Sequence, residues 1–170
     1  MPSTTHPWAH WRFRRTSLAV SLALCWCGAA HAATIRVDDP SEDSVAGKCT
    51  LADAVFAVNQ AAAKNACAAG DGNNDTIDLA FFTAPTTIAF SLASAADANS
   101  ALVLTKPATM RAALDASGNP LVTLTRSTVS GTPNFRLIAT SADLSIDGLG
   151  FSGGYCAERG GAIYASGAAN

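Results

Sequence analysis

Beyond residue 75 the chain is patterned in short, mostly alternating apolar runs. TIDL at 76–79, TIAF at 87–90, LVL at 102–104, LVTL at 121–124, FRLI at 135–138, LSI at 144–146 and AIY at 162–164 each read as a strand of three or four residues. Polar, glycine-containing segments separate them. TIRV at 34–37 has the same character and is stopped by Asp38, Asp39 and Pro40. One stretch between these follows a different period. Leu51, Ala54, Val55 and Val58 fall at i, i+3, i+4 and i+7, a single face of a helix. Thr50 followed by Asp53 is a variant of the capping box at its start. Asn59 reads as its terminator, although the alanines that follow allow it to continue as far as Cys67 and Gly70.

Many short strands divided by turns predict an all-β fold, and this pattern alone leaves sandwich, barrel and solenoid open. Three features favour the solenoid: the strands are very short, their connections vary in length, and glycines concentrate toward the end, at Gly148, Gly150, Gly153, Gly154, Gly160 and Gly161.

The first 32 residues stand apart. Arg12, Arg14 and Arg15 precede an apolar stretch at 18–30, and Ala30-His31-Ala32 follows with small residues flanking a cleavage point. This is the layout of a secretory signal, and its apolar run is too short to span a membrane. The Arg14-Arg15 pair leaves the twin-arginine route open beside the general one. The expectation is therefore export, with the protein secreted or at the cell surface. The alternative is a buried hydrophobic helix of a cytosolic protein.

Once those residues are set aside, eight basic residues face 13 acidic ones. No basic cluster remains, so nucleic acid is a poor partner, and membrane contact would need an anchor that this sequence does not show. All three histidines, His6, His10 and His31, fall in the set-aside segment, which removes Ser-His and Cys-His chemistry from the rest. No cofactor is expected. Cys49, Cys67 and Cys156 remain, an odd number in an oxidising compartment, and their spacing fits no zinc site.

Asp71 to Asp75 opens like a calcium loop but has Thr76 and Phe82 where a glycine and an acid are needed, so it reads as a turn. Asp115, Asp143 and Asp147 fall near strand ends. The last two share a face of an extended strand about 13 Å apart, too far for a carboxylate pair. Tyr155, Tyr164 and Phe151 offer ring surface for a sugar or for interior stacking.

The stretch CTLADAVFAVN, Cys49 to Asn59, resembles the CSLREA domain found near the N-terminus of many secreted bacterial β-helix proteins. Cys49, Thr50, Leu51, Ala54 and Asn59 match its motif. Val55 replaces Ile, and Ala52 and Asp53 stand where Arg and Glu are usual. NDTIDL at 74–79 is similar to that family's first coil strand. LSIDGLGFSGG at 144–154 and GGAIY, with Gly160, Gly161, Ala162 and Ile163, are similar to late coils of right-handed parallel β-helices of the pectate-lyase-like kind. Gly-Gly-Ala-Ile is also half of the polymorphic outer-membrane-protein repeat, whose Phe-x-x-Asn half is absent.

The resemblance implies a right-handed parallel β-helix with an N-terminal capping α-helix. Residues 1–32 would be the signal peptide, 33–75 the first strand and capping helix, and 76–170 the first coils. Leu51, Val55 and Val58 would pack on the open end of the first coil. A Cys49–Cys67 disulfide would bracket the helix, the alternative being two free buried thiols. A helix running from Leu51 to Asn65 would be about 22 Å long, out of a disulfide's reach, so the bond requires the helix to stop near residues 59–62. The end ASGAAN shows no cap, and the expectation is a fragment or an early stop of a longer protein, with any partner of Cys156 beyond Asn170.

Two functions follow as expectations. The first is a non-catalytic, adhesin-like interaction scaffold for host-surface or polysaccharide ligands, whose relatives often carry an outer-membrane or cell-surface anchor. The second is a polysaccharide lyase or glycoside hydrolase with its site on later coils, where acids and an Arg or Lys would stack on consecutive strands.

Overall fold

The computed structural model describes residues 32–167. The expected signal sequence thus lies, but for Ala32, outside the described residues. Within them are ten short strands and one helix: β1 (Thr34–Arg36), α1 (Leu51–Gln60), β2 (Asp75–Asp78), β3 (Thr86–Phe90), β4 (Ser100–Leu104), β5 (Ala108–Arg111), β6 (Val122–Arg126), β7 (Arg136–Thr140), β8 (Leu144–Asp147), β9 (Leu149–Ser152) and β10 (Ile163–Ala165). The fold is all-β in character with one short helix. β5 and β9 are strands that the apolar pattern did not reveal.

The strands form three separate sheets, ordered β1-β2-β5-β8, β3-β6-β9 and β4-β7-β10, and every pairing within them is parallel. From β2 onward the chain visits the three sheets in the same rotation, so each strand pairs with the one three later. Parallel pairing forbids hairpins and forces this long return path.

Register turns sequence alternation into stacked rows. In the first sheet Ile35, Ile77, Met110 and Ile146 are aligned. In the second, Ile88, Leu124 and Phe151 are aligned, and in the third, Leu102, Ile138 and Ile163. Each row is buried along most of its length and loosens at its last strand. Ile146 and Phe151 are only partly buried, and Ile163 is 36% exposed.

The other end of these rows is covered. Between β1 and β2, where later circuits supply strands of the second and third sheets, the chain places α1 instead, in contact with β1, β2 and β4. Leu51, Val55 and Val58 are buried with Ile35, Ile77 and Leu104 in one core. Sinking three such side chains contributes about 5 kcal/mol or more, and a helix this short needs that support to persist.

The helix ends are specified locally. The Thr50 hydroxyl accepts the Asp53 N–H at 3.3 Å, half of a capping box. The Asp53 carboxylate does not close the other half. It accepts instead from the Ser44 hydroxyl and from the Asn65 amide at 2.8 Å, tying the loops on both sides of α1 together. At the far end the helix continues through Asn59 to Gln60. The left-handed Ala61 (φ 49°) turns the chain, with the N–H groups of Ala61 and Ala62 bonded to Val58 and Ala57. Asn59 is therefore not the terminator. Because the helix stops there, the chain doubles back, and the Cα atoms of Cys49 and Cys67 lie 4.6 Å apart with their sulfurs bonded.

Asn59 serves another purpose. Its amide donates to the Val103 carbonyl at 2.7 Å and accepts from the Thr105 N–H at 2.8 Å. It thereby occupies backbone groups on β4, the edge of the third sheet. Glu42 does the same beside β3, the edge of the second sheet, accepting the N–H groups of Ser91 and Leu92 at 2.8 Å each. Unpaired strand edges invite pairing with other chains, and here two side chains from the covering segment satisfy part of them.

Two substitutions separate these contributions. Leu51→Ala should lower unfolding free energy by about 2–5 kcal/mol in denaturant titrations, while Phe56→Ala on the exposed face of the same helix should stay within about 0.5 kcal/mol. Asn59→Ala should cost about 1–3 kcal/mol and should selectively speed amide hydrogen exchange at Thr105.

Candidate functional site

The outward face of the first sheet is built from four tripeptides in register: Thr34-Ile35-Arg36, Thr76-Ile77-Asp78, Thr109-Met110-Arg111 and Ser145-Ile146-Asp147. The middle residue of each points into the core, so the first and third must point out. Two ladders result. One is all hydroxyl: Thr34, Thr76, Thr109, Ser145. The other alternates in charge: Arg36, Asp78, Arg111, Asp147. Neighbouring members stand one strand spacing apart, about 4.8 Å.

The charged ladder is locked at its centre by an Arg111–Asp78 ion pair, in which Nη2 and Nε of Arg111 lie 3.2 and 3.3 Å from the two carboxylate oxygens. Partial burial pushes the Asp78 carboxyl upward. The Arg111 hydrogen bond, the Ala80 N–H and the charges of Arg111 and Arg36 outweigh it and hold the group below the usual aspartate range. The same hydrogen bond and charge hold the Arg111 guanidinium more firmly protonated than usual. At the β1 end, Arg36 stacks over the Phe81 ring at 4.2 Å, and Phe81, 45% exposed, packs edge-on against Phe82. A row of hydroxyls, a row of alternating charges and an exposed ring at one corner form a surface suited to a polyhydroxylated, charged ligand.

Apart from Asp147, the residues singled out from sequence fall elsewhere. Cys49, Cys67, Leu51, Val55 and Val58 belong to the covered end. Gly160 (φ 60°) turns the chain into β10, and a side chain there would strike the Ile163 carbonyl. Ala162 joins β10 to β7 by accepting the N–H groups of Leu137 and Ile138. Asp75 is buried, its carboxylate filled by N–H groups of Ala33, Asp71 and Gly72, so the 71–75 segment is a closed turn. Asp115 likewise folds back on Ser117 and Asn119. Asp147 joins the charged ladder, while Asp143 lies just before β8. Tyr164 stacks on Arg136, Tyr155 is exposed, and Phe151 faces the interior.

Arg36, Asp78, Arg111 and Phe81 were not singled out. The signal was present as a repeat of hydroxyl, apolar and charged residue at the four strands. It was hidden because the third copy, at β5, was not read as a strand. Among the described residues, surface hollows of about 350 Å³ between α1 and β4, about 450 Å³ beside Thr140, Leu144 and Ile163, and about 480 Å³ beside Asn74, Pro107 and Ser145 also occur. No group of acids, histidines and cysteines among the described residues is arranged to hold a metal ion.

Comparison with protein-family models, with curated proteins and with solved structures finds no match for this chain.

Because the folded-state value of Asp78 is depressed, its contribution to stability is present above the ordinary aspartate value of about 4. It is lost as pH falls through the lower folded value. In acid titrations followed by circular dichroism, Asp78→Asn should therefore unfold over a narrower range of stability change below about pH 4 than the unaltered chain, the two curves converging at the acid limit.

Proposed function

We propose that this chain is a secreted or cell-surface right-handed parallel β-helix, akin to CSLREA-domain proteins, that works as a non-catalytic adhesion scaffold. Its ligand is an acidic or highly hydroxylated polysaccharide held on the outward face of the first sheet. The observation that carries this reading is the in-register pair of ladders on four parallel strands with Phe81 at their corner. A rigid sheet presents groups at one strand spacing along a line, which suits a long repeating ligand better than a compact one. The rotation through three parallel sheets supports the β-helix reading. The bonded cysteine pair supports an oxidising destination.

A polysaccharide lyase is the second reading, and one observation favours it: Asp78, Arg111 and Asp147 stack on consecutive strands. Elimination needs a base that can take a proton. Arg111, ion-paired and held more firmly protonated than usual, is poorly placed to be one, which favours binding over turnover.

Co-sedimentation with polygalacturonate and with neutral cellulose tests both. Retention on the acidic polymer, weakened at least about tenfold in Phe81→Ala, is expected; a loss of that size corresponds to about 1.4 kcal/mol. Equal retention by the unaltered and Phe81→Ala chains would remove the proposed face. Release of unsaturated sugars from polygalacturonate would replace the scaffold reading with the lyase.

A further inference from the structure

Arg136, at the start of β7, is only 4% exposed, yet among the described residues no carboxylate pairs with it. Its Nε has no hydrogen-bond partner among the described residues. One terminal nitrogen, Nη2, points at the Cys156 sulfur at 3.0 Å, and the Tyr164 ring covers the guanidinium at 4.7 Å. Asp97 is the acid whose charge reaches Arg136, but its carboxylate is engaged with the Ser100 hydroxyl and the Asn99 N–H. A buried cation without a bonded anion is costly, and the one group it is aimed at can become an anion.

The loop around Cys156 is fixed so that its sulfur faces Arg136. Gly154 abuts the Gly161 carbonyl so closely that no side chain fits there, which pins the base of the loop. The Tyr155 N–H bonds to the Phe135 carbonyl at 2.9 Å and fastens the loop beside β7. Within it, the Cys156 sulfur receives one guanidinium donor, Arg136 Nη2, at 3.0 Å. Cys156 itself is partly exposed and unbonded, whereas Cys49 and Cys67 are joined to each other.

We propose that Cys156 is a nucleophilic thiolate that exchanges with small disulfides bearing carboxylate groups. The Cys156 sulfur attacks one sulfur of the disulfide. A new sulfur–sulfur bond forms as the old one breaks, and the bonding pair leaves on the second sulfur, which takes a proton from water. One disulfide is consumed and one is made, so no other oxidant enters. Once Cys156 is bonded its negative charge is gone, and Arg136 is left to pair with a carboxylate of the attached thiol. The donors explain why the thiolate is favoured: the Glu158 and Arg159 N–H groups first, then Arg136, hold the thiol below its usual value against the opposing effect of burial.

The test uses the full chain, with modification mapped to Cys156 by mass spectrometry and Cys156→Ser as the blank. At pH 6, iodoacetamide should label Cys156 at least about threefold faster in the folded chain than in the same chain unfolded in guanidinium. Equal or slower labelling when folded overturns the proposal. Oxidised glutathione should form the mixed disulfide at least about threefold faster than cystamine, its cationic counterpart. The excess of acids outside residues 1–32 would by itself favour cystamine, so cystamine matching or outpacing glutathione also overturns it. Arg136→Lys keeps charge but loses the planar fork, and should reduce the glutathione preference. If that variant fails to fold, the folded-against-unfolded and anion-against-cation comparisons stand on the unaltered protein.

Discussion

Rows of apolar side chains stacked along three sheets are shielded from the sides but not from the ends. Here the end at β1 is closed by ten residues of helix, and Leu51, Val55 and Val58 are buried in one core with Ile35, Ile77 and Leu104. Much else near that end follows from this contact. The helix stops at Gln60, and stopping there brings Cys67 back to Cys49. The loops that flank it must be held down, which Asp53 does through Ser44 and Asn65. Apolar burial has no directionality, so orientation falls to polar groups: Asn59 on β4 and Glu42 beside β3 fix how the cover sits.

The fold was legible in the sequence where two signals agreed. At β2, β3, β6 and β7 alternation coincided with β-branched or aromatic residues. The helix was legible because its period changes abruptly from the strands around it. β5 escaped because Ala108 is a weak strand former and Pro107 just before it reads as punctuation, although Ala108 and Met110 are both buried. β9 escaped because it follows Gly148 directly and carries Gly150 in its middle. Both owe their pairing to parallel neighbours far away in the chain, a tertiary influence that local pattern does not carry.

The candidate site was less legible than the fold. A ladder is a property of register, and register exists only once strands are aligned. Arg36, Asp78 and Arg111 are ordinary surface charges when read in order along the chain, and Asp147 was weighed only against Asp143; the four become a row only across β1, β2, β5 and β8. Asn59 was noticed as an amide at a helix end, but its partners Val103 and Thr105 are distant in sequence, and nothing in the local pattern points to them. The Arg136–Cys156 contact is hidden for the same reason.

The two ends of the molecule differ in kind, and this gives the architecture a polarity. At one end α1 occupies the space where strands would otherwise lie, its Asn59 holding the β4 margin and Glu42, in the loop before it, the β3 margin. At the other, Ile146, Phe151 and Ile163 continue the interior rows, and among the described residues no helix covers them. Any strand laid against β8, β9 or β10 would meet a parallel neighbour whose spacing is already set. An insertion at the helix side would first have to dismantle a disulfide, two caps and an amide clamp. The helix is thus the fixed zero of the ruler along which the rows are counted.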